Sequence, residues 1–187
     1  FTFSKLLSWV AIDRAIKISI LINKSSNIKK WKLIRKEIYN DILKNGWNKK
    51  IGAFTQSYGS DSLDASLLLM ESFDFVKPNN LKYIKTVKAI ENNLMNDGLL
   101  FRYRNKDDFG FPSSSFTVCS FWYINSLYKI GEKEKSKNYF EKILKYSNHL
   151  GLFSEDLDFK SKRLLGNFPQ AYSHLALIDC ALNFNSE

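Results

Sequence analysis

This sequence predicts an all-α fold, an arc of alternating inner and outer helices, and three observations carry that prediction. A glycine corner recurs as Gly52-Ala53-Phe54, Gly98-Leu99-Leu100-Phe101 and Gly151-Leu152-Phe153, at spacings of 46 and 53 residues, the mark of a repeated supersecondary unit. A charged amphipathic helix pattern precedes each corner, and a polar loop followed by a nearly charge-free helix pattern comes after it. Strand signals are weak throughout.

Taken in order, the apolar periodicity predicts an inner helix at 3–20, an outer helix at 28–44, inner 62–70, outer 80–95, inner 115–128, outer 132–147 and inner 168–183. In the second of these, Ile28, Trp31, Ile34, Ile38 and Ile42 keep a helical period, which leaves the dense lysines between Lys24 and Lys50 on a solvated face. The stretch 109–128 is free of charge and long enough for a membrane span. It carries Pro112, Gly110, Asn125 and five serines, so a buried helix explains it better. A charge-poor helix has two faces to cover, and a lone helical hairpin covers only one. Stacking successive hairpins around a centre buries the second face, in either an open solenoid or a closed ring of inner helices inside outer ones. Starting and ending on an inner helix leaves the arc open, with no internal domain boundary, and in both arrangements the three corner loops gather at one end of the inner helices.

At 187 residues, 44% hydrophobic and 25% charged, the chain is long enough for one domain with a real core, and its formal net charge is +9. The lysine periodicity argues against nucleic acid as a partner, and no basic segment precedes a short apolar stretch as a signal peptide requires. Cys119 and Cys180 sit in apolar helical patterns without a CxxC neighbour or a histidine at metal spacing. Buried free thiols in a reducing, cytoplasmic setting are expected, with no metal and no cofactor. The chain opens in the middle of an amphipathic pattern at Phe1, which reads as a piece of something longer.

The corner loops collect the side chains that handle sugars. Trp47, Phe54, Tyr58, Tyr103, Phe116, Trp122 and Tyr172 offer flat apolar faces to sugar C–H groups, although each could equally pack the core. In "GLFSEDLDF" (151–159) three acids, Glu155, Asp156 and Asp158, lie within four positions. One of them could be a general base that activates water for glycoside cleavage, or all could cap and solvate a loop. An inverting glycosidase also needs a second carboxyl group roughly 6.5–9.5 Å away. Asp61, Asp64, Asp97, Asp107 and Asp108 are the other acids in these loops, and no neighbour marks any of them as a buried proton donor.

The segments "FTFSKLLSWVAIDRA", "GAFTQSYGSDSLDASLLLM", "AIENNLMNDGLLFRYR", "CSFWYINSL" and "GLFSEDLDFKSKRLLGNFPQAYSHLALI" together resemble glycoside hydrolase family 15, the glucoamylase and trehalase-like enzymes, over nearly the whole chain. That resemblance implies a partial (α/α)6 barrel, the C-terminal part of a catalytic domain. It makes Glu155, after Ser154, the general base of an inverting α-glucoside hydrolase. Arg102 in "FRYR" is similar to an arginine that hydrogen-bonds the sugar at the cleavage point, and Tyr172 occupies a position of an aromatic near the sugar. Trp122, Asn167 and Gln170 fall in motifs lining the same funnel.

Three departures accompany the resemblance. The family's general acid lies in a Trp-Glu-x-Arg segment that stands before the equivalent of "FTFSK", so it belongs to an N-terminal portion that would also complete the barrel. Ser113, Ser114 and Ser115 stand where relatives show an acidic residue and glycine, and Asp156 stands where a glutamate is usual. The expected substrate is an α-linked glucoside, of the starch or the trehalose type. A helical-repeat module that grips carbohydrate or protein without cleaving it is the alternative, and the fragment by itself is expected to be inactive.

Overall fold

The computed structural model describes residues 1–24 and 26–185. The chain begins with helix α1 (Thr2–Leu21), α2 (Ile28–Asn45), the strands β1 (Trp47–Asn48) and β2 (Ala53–Phe54), and a 3-10 helix at Ala65–Met70. It continues with α3 (Leu81–Leu94), β3 (Met95–Asn96), β4 (Leu99–Leu100), β5 (Ser115–Phe116) and α4 (Thr117–Lys129). The last third holds α5 (Lys133–Leu144), β6 (Asp156–Leu157), β7 (Leu164–Leu165) and α6 (Ala171–Phe184). α1, the 3-10 helix, α4 and α6 are the inner elements, and α2, α3 and α5 the outer ones, in a partial α/α toroid.

Burial explains the difference in charge between the two layers. α4 sits between α5 on one side and α6, α3 and the 3-10 helix on the others, so Val118, Cys119, Phe121, Tyr123, Ile124 and Leu127 are all buried and no part of its middle can carry charge. α5 buries only Ser136 and Ile143; Lys137 and Lys142 are exposed, and Lys135 reaches Glu91 of α3 at 2.6 Å. The two inner helices at the ends of the arc differ from α4. α1 buries Leu6, Trp9, Asp13 and Ile16 on one stripe while Leu7, Ile18 and Leu21 stay exposed. α6 buries Ser173, Ala176 and Cys180 while Leu175, Ile178 and Leu182 face outward at helical spacing. Each end helix therefore shows an apolar second face of the kind that α4 has covered.

The segment predicted as an inner helix at 62–70 is shorter and tighter. Asp64 ends the extended stretch before it, accepting the Ser66 N–H at 2.8 Å, while the Ala65 N–H is drawn to the Arg102 carbonyl at 2.8 Å. Only six residues remain for helix, and Ala65 to Leu68 and Met70 are all buried, so an amphipathic stripe has no meaning there. Two further boundaries move for the same reason: residues 115–116 pair as β5, and 168–170 lie outside α6.

Among the described residues seven two-residue strands also form. β1 pairs antiparallel with β2 and β3 with β4, each around a corner glycine at positive φ, +71° at Gly52 and +79° at Gly98. β5, β6 and β7 form a three-stranded antiparallel patch with Ser115 opposite Leu157 and Asp156 opposite Leu165. Backbone hydrogen bonds then stitch the post-corner segments to the starts of the inner elements: Thr2 N–H to Gln56 O, Ala65 N–H to Arg102 O and Thr117 N–H to Glu155 O. The residues that follow the corners thus share one end of the inner helices, and the glycine tips do not line the space between them. Among the described residues no helix is long and apolar enough to cross a membrane.

Candidate active site

The third corner is built to hold one residue still. The Asn148 side chain accepts the N–H groups of Leu150 and Leu152 at 3.0 and 2.9 Å, and Gly151 takes φ +77°, turning the chain inward. Phe153 enters the core edge-on to Phe121 with ring centres 5.4 Å apart, and its N–H donates to His174 Nε2 at 3.0 Å. Ser154 is fully buried. Its hydroxyl donates to the Asp156 carbonyl at 2.5 Å, and its own carbonyl accepts from the Ser173 hydroxyl at 3.0 Å. Glu155 follows, pinned through its N–H to Asn167 O and through its carbonyl by the Thr117 N–H, both at 2.9 Å.

The Glu155 carboxylate is held from one side. Oε2 accepts the Asn167 backbone N–H at 3.2 Å and the Asn167 side-chain amide at 2.9 Å. Among the described residues nothing donates to Oε1, which leaves it available to water in the cleft. Gly166 makes the arrangement possible: a Cβ there would stand 2.9 Å from Glu155 Oε2 and 3.1 Å from its Cβ, at a φ of +73° that L side chains avoid.

The neighbouring acids do different work. Asp158 accepts the N–H groups of Lys160 and Ser161 and the Ser161 hydroxyl on one oxygen; the Ser161 hydrogen bonds hold its carboxyl below the ordinary range, and it closes a turn. Asp156 lies half-buried and accepts the Ser114 hydroxyl at 2.5 Å. Burial pushes its carboxyl up; the Ser114 bond opposes this, and the charge of Glu155 adds to it. The serine stretch 113–115 is therefore joined to this acid, Ser114 to Asp156, and Ser115 donates to the Leu157 carbonyl at 3.0 Å in the adjoining strand pair.

Glu155 and Asp156 line a cleft of about 490 Å³ together with Arg102, Tyr103, Phe116 and the loop 107–114. The Arg102 guanidinium is half-exposed and pairs with buried Asp64, Nε to Oδ1 at 3.9 Å, so its partner among the described carboxylates is Asp64 and not Glu155. Arg102, Tyr103 and Asp107 also wall a second cleft of about 430 Å³ that reaches Gln56 and Asp64. Tyr172 stands edge-on to both Phe116 (6.3 Å) and Trp122 (5.8 Å), an aromatic group behind the Phe116 wall. Gln170 accepts the Ser173 hydroxyl at 2.9 Å at the start of α6; that bond and not the cleft occupies its amide oxygen. Among the other acids, Asp61 pairs with Lys50 at 3.0 Å and Asp97 with Lys162 at 2.6 Å. Of the aromatic candidates, Phe54 is core, Trp47 packs edge-on against it, and Tyr58 donates to Asp41 at 2.7 Å.

Comparison with known proteins bears on the family and the fold. The sequence model described as "Glycosyl hydrolases family 15" matches residues 1–136 and 131–182. The chain belongs to that family. A trehalase of Thermoplasma acidophilum is 42% identical over 97% of this family 15 chain, and a trehalase of Mycobacterium tuberculosis 41% identical over 98% of it. The chain spans only 31% and 27% of those two proteins, less than a third of their length. Among solved structures, a glycosidase in complex with glucose superposes with a TM-score of 0.82 over 98% of this chain and 52% of its own, at 15% identity. A bacterial glucoamylase complexed with acarbose gives 0.79 over 100% of this chain and 34% of its own, at 13% identity. At such identities the superpositions establish the shared fold.

Sequence reasoning missed three residues of this site. Gly166 carries no signal beyond being a glycine, because its need arises across the strand pair from Glu155. Phe109 and Phe111, which line the cleft, were not singled out within their loop. Two phenylalanines flanking a glycine in a loop close after the "FRYR" segment were the available clue.

Proposed function

We propose that this family 15 chain is the C-terminal part of the catalytic barrel of an inverting α-glucoside hydrolase in which Glu155 is the general base. The observation that carries the reading is the one-sided tethering of Glu155 in the wall of a cleft that Arg102 also lines: Asn167 fixes Oε2, and no described residue donates to Oε1. In that role Oε1 takes a proton from water, the water oxygen bonds to the anomeric carbon, and the glycosidic C–O bond breaks. The leaving oxygen takes its proton from a carboxylic acid supplied by the rest of the polypeptide, on the opposite side of the sugar. Arg102 binds and orients the glucosyl unit, with Asp64 setting its guanidinium, while Tyr172 and Trp122 back the apolar wall at Phe116. Asn167 acts through Glu155, and Gln170 positions the start of α6.

Relatives named trehalase at 40–42% identity make trehalose the first substrate to offer, ahead of maltooligosaccharides. The uncovered apolar faces of α1 and α6 suit contact with further barrel helices, so an N-terminal portion of the same polypeptide is the proposed partner and the fragment alone is inactive. The buried free thiols of Cys119 and Cys180 suit a reducing compartment, for which we take the cytoplasm.

The test uses the full-length parent, wild type and Glu155→Gln, with glucose release and its anomeric form followed on trehalose and on maltooligosaccharides. The expected result is β-glucose from the wild type and a loss of about 10³-fold or more in the variant, whose shape and Asn167 contact are kept. A folded wild type without hydrolysis would return the chain to a sugar-gripping module, and an active Glu155→Gln would move the base elsewhere.

A further inference from the structure

We infer that Phe109 and Phe111 form an aromatic rest for the departing sugar and set the preference for a disaccharide over a glucoside with a small leaving group; this rests on the reading of Glu155 and Arg102 just given. Both rings border the cleft that holds those two residues, and both are turned to water, Phe109 100% and Phe111 71% exposed. Two adjacent uncovered rings on a polar loop are costly in water unless something apolar meets them. Their mount is firm. Asp107 and Gly110 exchange backbone hydrogen bonds at 3.0 and 3.2 Å, and Asp107 Oδ1 accepts the Phe109 N–H at 2.8 Å. Tyr103, the residue after Arg102, donates its hydroxyl to Asp107 Oδ2 at 2.6 Å. The turn that carries the rings is thereby braced to the segment that carries the sugar-orienting arginine.

The direction follows from access. The glucosyl unit under attack must meet Glu155 on the inner, polar floor of the cleft. The sugar that departs must have a way out, so it occupies the outer part, where the available faces are the two rings. A pyranose presents alternating faces of C–H groups, and a phenylalanine contributes a flat apolar surface without a hydrogen bond of its own. The rings would thus hold a second sugar by its faces and be tolerant of which hydroxyl links it.

The experiment compares, in the full-length parent, kcat/KM for trehalose or maltose with kcat/KM for α-glucosyl fluoride, whose departing fluoride cannot rest on a ring. The ratio of the two is read for wild type, the double variant Phe109→Ala/Phe111→Ala, and Phe109→Leu/Phe111→Leu. The expected result is a fall in the ratio of about tenfold for the alanine pair and nearly as much for the leucine pair, because leucine is apolar without being flat. A ratio within twofold of wild type for the alanine pair overturns the proposal, and a leucine pair equal to wild type overturns the stacking. Calorimetric titration of the Glu155→Gln parent with trehalose, maltose and glucose gives a readout independent of turnover: ring removal should weaken the disaccharide about tenfold more than glucose, and equal weakening overturns the inference. An active Glu155→Gln would instead defeat the base assignment while leaving the ring ratio to be read.

Discussion

Two carboxylates far apart in the sequence, Asp13 and Glu155, are each gripped by neighbours, and they differ in what is left over. Asp13 lies on α1 with its side chain 4% exposed, and three cations converge on it: Arg35 on Oδ1 at 2.5 Å, Arg14 and Lys17 on Oδ2 at 2.5 and 3.0 Å. Burial alone would raise its carboxyl, but the hydrogen bonds from Lys17, Arg35 and Arg14 outweigh it and hold the group below the ordinary range. Both oxygens are used. Glu155 is gripped on one oxygen by a neutral amide and a backbone N–H, no described residue donates to the other, and the residue lines the cleft. A carboxylate surrounded by charge ties helices together, here α1 to α2. One held by neutral donors from a single side stays available for a reaction.

The comparison can be broken first at Asp13. Asp13→Ala leaves Arg35 without its carboxylate and Arg14 and Lys17 with Asp74 alone, around a buried vacancy, and the expected cost is about 3 kcal/mol, lowered from the buried-pair range because the three partners reach solvent. Thermal unfolding of the full-length parent should show a lower midpoint in low salt, with part of the loss recovered as salt screens the three cations. An unchanged midpoint would mean that the cluster is a surface ornament. At Glu155 the corresponding change is next door. Gly166→Ala puts a Cβ 2.9 Å from Oε2 at a strained φ, so Glu155 must move. A tenfold or larger fall in kcat with a stability loss of about 1 kcal/mol is expected, roughly the cost of a side chain at positive φ. Full activity in a folded Gly166→Ala parent would show that the position of Glu155 is not critical.

How much of this was legible in the sequence follows from the range over which each feature is encoded. The long helices were, because their stripes repeat over three turns or more: 28–44 was expected and α2 runs Ile28–Asn45, 80–95 was expected and α3 runs Leu81–Leu94. The inner 62–70 segment was not, because Asp64 and the Arg102 carbonyl set its start from outside its own pattern. Two-residue strands are too short to alternate, so β5, β6 and β7 left no trace in the sequence. The acids of 155–158 were visible as a cluster. Which of them closes a turn, which meets Ser114 and which faces the cleft depends on partners 3 to 42 residues away. The placement of Arg102 beside Asp64 is likewise fixed by a contact between loops.

The smallest effect sharpens the comparison through pH, because Asp156 and Asp13 contribute with opposite sign. The carboxyl of Asp13 is lowered, so its contribution is present above the ordinary aspartate value of 3.8 and is lost as pH falls through its folded value. The carboxyl of Asp156 is raised, mainly by burial. Its contribution is fully present below 3.8 and is lost as pH rises through its folded value, since the unfolded chain ionises there first. Asp156→Asn keeps an acceptor for the Ser114 hydroxyl and removes the ionisation. The difference in midpoint between this variant and the wild-type parent should therefore grow in favour of the variant as pH is raised from about 3.5 to 7, by on the order of 1 °C. Asp13→Asn in the same series should move the other way, losing most at neutral pH and least in acid. If Asp156→Asn instead tracked Asp13→Asn, Asp156 would be a paired structural acid like Asp13, and the Ser114 contact would be its whole function. If the slopes oppose, the half-buried acid beside Glu155 is held against its own ionisation, a cost that a fold-stabilising carboxylate does not carry.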